Sequence, residues 1–318
     1  MALNPLVDSR DVRFVLYEMM DVLQLTKLPK YSSFDKDMFE DMLNLAETMA
    51  VEQIYPTFAE GDKEGCHYDG ATKKVSIPKC YHAALDAFYE AGFGGMDVSD
   101  EWGGMGIPQV ISWACNEFFC AANYPLLMYP GLTHGAAELI EAFGTEEQKH
   151  MYLANMYSGK WGGTMCLTEP DAGSDVGALK TKAVRQPDGT FKIYGQKIFI
   201  SSGDNDYYEN MIHPVLARIE GDPPGTKGIS IFIVPKYRVN PDGSLGEFND
   251  VTCAGTEHKM GIKGSATCTL SFGDNNNCIG WLLGQERQGM KIMFKMMNYA
   301  RMGVGLQAHG CASAAYMH

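Results

Sequence analysis

The chain has 318 residues, 45% hydrophobic and 20% charged, a balance that suits a soluble globular protein with a sizeable core, as one large domain or two ordinary ones. A formal net charge of -13 argues against a general affinity for nucleic acid or an anionic membrane, while leaving room for a local phosphate site. The nine cysteines show no C-x-x-C and no zinc-like Cys/His spacing, so reduced thiols in a cytoplasmic protein and no metal site are expected. A basic n-region followed by an apolar h-region is absent, and so is an apolar run long enough to span a bilayer.

In chain order, Val12, Val15, Leu16, Met19, Met20 and Leu23 follow the three-and-four spacing of an amphipathic helix over residues 8 to 24. A second helix is expected over 37 to 55, ended by Pro56. Residues 59 to 79 are polar and read as a surface loop, with the adjacent Cys66 and His67 in structural or surface roles. A helix over 81 to 90 precedes a Gly-rich segment, 92 to 106, whose glycines suit turns with positive φ. Mostly buried helices are expected at 109 to 123 and 131 to 143. Thr145 and Gln148 have capping-box spacing for a helix of roughly 146 to 156.

The period changes after Gly159. Strands are expected at 162–167, 179–184, 191–200, 211–219 and 229–235, with turns at Pro187-Asp188-Gly189-Thr190 and Pro241-Asp242-Gly243 and further strands within 251–272. From Glu286 the pattern is helical again, with Met290, Met293, Phe294 and Met297 on one face. Gly303-Val304-Gly305-Leu306-Gln307-Ala308 has the letters of a dinucleotide fingerprint, but no strand precedes it, so small residues for close helix packing explain it better. Helices followed by a block of strands predict an α+β protein with separate layers or domains.

Two stretches carry chemistry. Met165-Cys166-Leu167-Thr168-Glu169-Pro170-Asp171-Ala172-Gly173-Ser174-Asp175 leads from a β-prone run into a turn of small residues where a ligand can approach the backbone. Gly195-Gln196-Lys197-Ile198-Phe199-Ile200-Ser201-Ser202-Gly203 is the second. Together they resemble the acyl-CoA dehydrogenase family. The first fits the family form C-x-T-E-P-x-A-G-S-D in full. The second fits G-x-K-x-W-I-T/S-x-G with Phe199 in place of Trp. Glu101-Trp102-Gly103-Gly104-Met105-Gly106 resembles the family's E-x-G-G-x-G loop. The likeness runs from about Asp35 to the end of the chain and is nearest to the branch with 3-methylmercaptopropionyl-CoA dehydrogenases.

The resemblance implies an N-terminal all-α domain (1–159), a middle β-barrel (160–285) and the first helix of a C-terminal bundle (286–318). It implies FAD-dependent oxidation of an acyl-CoA to the 2,3-enoyl-CoA, with an electron-transfer flavoprotein as acceptor and a homo-oligomer when complete. An acyl-CoA oxidase and a non-catalytic flavin- or CoA-binding fragment are the alternatives. Met165, Cys166, Leu167, Thr168, Gly173, Ser174, Phe199, Ile200 and Ser201 are the implied FAD contacts, and Ser174, Asn298 and Arg301 the implied substrate contacts. Glu169 suits a structural hydrogen bond. Ile219 stands where the family has a substrate-binding Ser. No catalytic base is assigned. One family position for it is Ala300 here, and the other falls in the C-terminal bundle, beyond residue 318. The chain stops at His318 without a helix-ending signal, and the resemblance implies the front part of an enzyme, a truncated gene product or half of a split one.

Overall fold

The computed structural model describes residues 4–318. Its helices are α1 (Ser9–Arg13), α2 (Lys36–Met49), α3 (Thr57–Glu64), α4 (Lys79–Glu90), α5 (Gln109–Phe143), α6 (Glu146–Tyr157) and α7 (Gly289–Met317). Its strands are β1 (His67–Asp69), β2 (Lys74–Ser76), β3 (Trp161–Gly163), β4 (Lys182–Arg185), β5 (Phe191–Ser201), β6 (Asn210–Ile219), β7 (Ile229–Pro235), β8 (Tyr237–Val239), β9 (Leu245–Phe248), β10 (Val251–Thr256), β11 (Thr267–Phe272) and β12 (Ile279–Leu282). The chain forms two compact units. One is drawn from residues up to Lys63, Lys79–Leu127 and Arg301–His318, the other from Glu64–Pro78 and Met128–Ala300.

The first unit is helical. The single helix expected over 8 to 24 is divided: α1 is followed by a π-helical turn, Phe14–Met19, and Asp21 takes a left-handed backbone before a 3-10 stretch, Val22–Lys27. Of the apolar spacing, Val12 and Leu16 are buried, but Met19 and Met20 are exposed because the helix breaks there, and Val22 is buried in place of Leu23. α2 buries Phe39, Leu43, Ala46 and Met49, as its three-and-four spacing requires, and continues through a π turn to Ile54. Phe119 meets Phe88 and Phe93 edge-on in an aromatic cluster with centroids 4.7–5.6 Å apart.

The two helices expected at 109 to 123 and 131 to 143 are joined as α5, with a kink where Asn123 is non-helical. Asn123 Oδ1 accepts from Leu126 N, the third residue on, as an N-cap does, and Pro125 follows in the first turn of the second half. Its amide is buried and donates to Thr57 Oγ1, while Tyr81 donates to its Oδ1. The kink is a helix restart capped by Asn123.

The second unit is built on a barrel. β5 pairs with β4 and β12, β12 with β7, β7 with β6, and β6 in parallel with β4, so these five strands close a ring. β5 and β6 are the longest strands, and their other halves carry β11 and β3 outside the ring, with β10 beyond β11. Every residue of β7 and all but one of β6 are buried, which explains their near-continuous apolar sequence. The polar stretch read as loop at 59 to 79 instead completes α3 and forms the β1–β2 hairpin. The strand expected over 162–167 is regular only through Gly163. Cys166 then makes an isolated bridge to Val215. The Thr145/Gln148 capping box forms as expected, and Asp188 secures the β4–β5 turn through Thr190 N. Among the described residues, no helix is long and apolar enough to cross a membrane, and no group of three acidic, Cys or His side chains could hold a metal ion. All nine cysteines are free thiols.

Candidate functional site

After β3, residues 164–166 run on in parallel beside β6. Thr164 N donates to Ile212 O, Cys166 N to Pro214 O, and Leu216 N to Cys166 O. Alternation along a strand then turns the backbone groups of Met165 and Leu167 to the opposite edge. Met165, Leu167 and Thr168 are half-buried there, whereas the Cys166 side chain is fully enclosed and burial pushes its thiol up to about 12. Cys166 is thus a packing residue and no nucleophile. Glu169 and Ala172 exchange backbone hydrogen bonds at 3.1 Å, closing a tight turn that leaves Gly173 and Ser174 exposed.

The second stretch is the far half of β5, and the two stretches are pinned together. Ile198 N donates to Thr168 O at 2.9 Å. Lys197 Nζ reaches Leu167 O at 2.9 Å and Glu169 Oε1 at 2.8 Å. Glu169 also accepts from Lys180 N and Thr181 N. Lys197 is 0% and Glu169 4% exposed, so this is a buried ion pair whose carboxylate is fully engaged. Burial opposes its ionisation, but Lys197 and the two backbone N–H groups hold the Glu169 carboxyl below the usual carboxylate range. Burial pulls Lys197 down against the pull of Glu169, and with a carboxylate and a carbonyl on its ammonium the pair is ionised.

Gly195, at φ +151°, lets β5 pass beside Thr181, since a Cβ there would overlap that residue. Further on, Cys268 of β11 faces Ile200 while Leu270 faces Lys197. Two residues of β5, Ile198 and Phe199, therefore oppose Thr269 alone, which is a β-bulge. Phe199 has φ +57° and is 58% exposed, although Ile200 beside it is buried. Ser202 is also left-handed, at +55°. An aromatic residue in this backbone region costs about 1–3 kcal/mol and occurs where the surroundings impose it. The bulge aims a planar apolar surface outward one residue beyond the hydrogen bond to Thr168, and Ser201 lies half-buried beside it.

Among the implied FAD contacts, the structure thus brings the extended segment Met165–Thr168 beside Phe199–Ser201 of β5, with Gly173 and Ser174 on the adjoining turn. Asn298 and Arg301 lie one turn apart on α7, both exposed, and fall in different compact units. Ile219 is buried at the end of β6. Sequence reasoning left out Lys197 as a site residue and did not mark the bulge. Lys197 is the lysine of the second motif, and a lysine inside an otherwise apolar strand run was the available signal.

Residues 36–160 match the family model described as acyl-CoA dehydrogenase, N-terminal domain, and residues 164–275 match acyl-CoA dehydrogenase, middle domain. The chain belongs to the acyl-CoA dehydrogenase family. A butyryl-CoA dehydrogenase of Syntrophomonas wolfei is 41% identical over 98% of this chain and 52% of its own length. A 3-methylmercaptopropionyl-CoA dehydrogenase of Ruegeria pomeroyi is 37% identical over 97% of this chain and 52% of its own. The chain therefore spans about half the length of the curated relatives it matches. Among solved structures, a chain from the electron transferring flavoprotein of Acidaminococcus fermentans, described with flavin-based electron bifurcation, superposes with a TM-score of 0.71 at 30% identity. That match covers 89% of this chain and 67% of that one. Residues 4–35, with their π and 3-10 turns, precede the matched region.

Proposed function

We propose that this chain supplies the flavin-binding edge and part of the thioester site of an FAD-dependent acyl-CoA dehydrogenase that converts an acyl-CoA to its 2,3-enoyl-CoA. The observation that carries this reading is the exposed Phe199 ring, held on a left-handed bulge beside the Thr168 strand. When bound, FAD would accept the hydride leaving the substrate β-carbon as a carboxylate takes the α-proton.

The residues present fit such a group. A solvent-exposed aromatic face suits a planar ring. The outward backbone groups of Met165 and Leu167 with the Thr168 hydroxyl suit its polar edge, where negative charge grows on reduction. Ser201 offers a second hydroxyl, and Gly173 with Ser174 an open turn for a pyrophosphate. Asn298 and Arg301 would hold the pantetheine side of CoA. Ala300 stands at one family position for the base and cannot take a proton, so the base is placed outside these 318 residues. The division into 1–159, 160–285 and 286–318 belongs to the same reading. So do a homo-oligomer for the whole enzyme, an electron-transfer flavoprotein as acceptor and action in the cytoplasm.

Titration of the purified chain with FAD, followed by quenching of flavin fluorescence, tests the binding half of this reading. Weak but saturable binding is expected. Thr168→Val and Phe199→Ala should each weaken it about tenfold, or 1.4 kcal/mol. No binding by the wild-type chain, or identical binding by both variants, would refute the assignment.

A further inference from the structure

We propose that Lys197 is a positioning residue: its buried ammonium ties the Leu167 carbonyl to the Glu169 carboxylate and so sets the backbone edge that residues 165–168 present to the ligand. The inference rests on the flavin reading above. Among the described residues, no strand pairs with the outer edge of the 165–168 segment. Its inner edge is fixed by β6 through Thr164 and Cys166. At the outer edge, the Leu167 carbonyl bonds to Lys197 Nζ at 2.9 Å, and Thr168 O to Ile198 N at 2.9 Å. Both donors come from adjacent residues of β5, at the bulge that turns Phe199 outward.

Lys197 thus joins three things by one atom: the extended segment carrying Thr168, the turn that begins at Glu169, and the strand carrying Phe199. A hydrophobic residue of the same length would fill the space, take the Lys197 donor from the Leu167 carbonyl and leave Glu169 Oε1 with Thr181 N alone in a buried place. The first motif would then be held by β6, by a single backbone bond to β5 and by the bonds of Lys180 N and Thr181 N to Glu169. Its Thr168 hydroxyl would sample more positions than a ligand edge tolerates, because productive geometry depends on sub-ångström placement.

The test is Lys197→Met, with two readouts. In the flavin-free chain, amide hydrogen exchange of the peptide 165–172 should rise about tenfold while peptides of β6 and β7 keep wild-type protection. With FAD added, the variant should bind more weakly, and its bound-flavin absorption bands should shift from those of the wild-type chain. Should Lys197→Met fail to fold, the double variant Glu169→Gln/Lys197→Met removes both charges together and carries the same expectations. Unchanged exchange in 165–172, or a rise spread evenly across the barrel, would reduce Lys197 to an ordinary core ion pair and overturn the proposal. Bound-flavin spectra that match the wild type would do the same. Failure of the wild-type chain to bind FAD would refute the flavin reading instead, and the exchange result alone would then judge Lys197.

Discussion

Glu169→Ala is expected to destabilise the barrel by about 3–5 kcal/mol, the range for breaking a buried pair from one side. The loss has two sources. Lys197, with no exposed surface, would keep its charge without its counter-ion. Lys180 N and Thr181 N would lose their acceptor. The sign of the pH effect follows from the lowered carboxyl. Glu169 contributes its stability above the ordinary Glu range, and that contribution disappears only as pH falls through its lower folded value. Urea unfolding at neutral pH, followed by the fluorescence of buried Trp161, measures the loss. A change below about 1 kcal/mol would contradict the account. Adding Lys197→Met to Glu169→Ala should recover part of the stability, because removing both charges removes the stranded ammonium.

The second large effect is acid sensitivity centred on His213. Its Nδ1 lies 2.9 Å from Thr164 Oγ1, its Nε2 has no hydrogen-bond partner among the described residues, and its ring meets Phe272 edge-on. Burial first, and the charge of Lys236 second, push its pKa down from 6.5 to about 3. The folded protein therefore holds a neutral imidazole where the unfolded chain binds a proton. Stability is fully present above the unfolded value and falls by up to about 1.4 kcal/mol per pH unit on acidification from 6.5 toward 3. Nearby Asp204, bonded to Lys236, is pushed the other way by burial and opposes part of this slope. Comparing stability from pH 7 to 4 in the wild type and in His213→Asn isolates the imidazole. The variant should lose nearly one proton's worth of slope. Parallel curves would show that the folded imidazole protonates freely.

The sequence was most readable where one local rule acts alone. Apolar spacing located α2, a capping box located α6, and strand-like segments after Gly159 located β5, β6 and β7. Legibility failed where tertiary partners override local pattern. The Asn123 kink depends on Thr57 and Tyr81, neither close in sequence. The π turn at Phe14–Met19 keeps an apolar spacing that reads as ordinary helix. In the site, the motifs gave the residues but not their geometry. Glu169 was legible as a structural acceptor, yet nothing in its own stretch says that Lys197 reaches it. The bulge at Ile198–Phe199 arises from register against β11, about 70 positions away, and no local turn residue announces it.

The central claim is that residues 1–318 provide a flavin edge without the base. Anaerobic mixing of the purified, FAD-supplemented chain with butyryl-CoA, followed by the flavin absorbance, tests it most directly. The account predicts weakly bound FAD that stays oxidised, and bleaching only when a C-terminal helical half with a suitable Glu is supplied in trans. Stoichiometric FAD that bleaches with butyryl-CoA on the 318-residue chain alone would contradict it, by showing that a base lies within these residues.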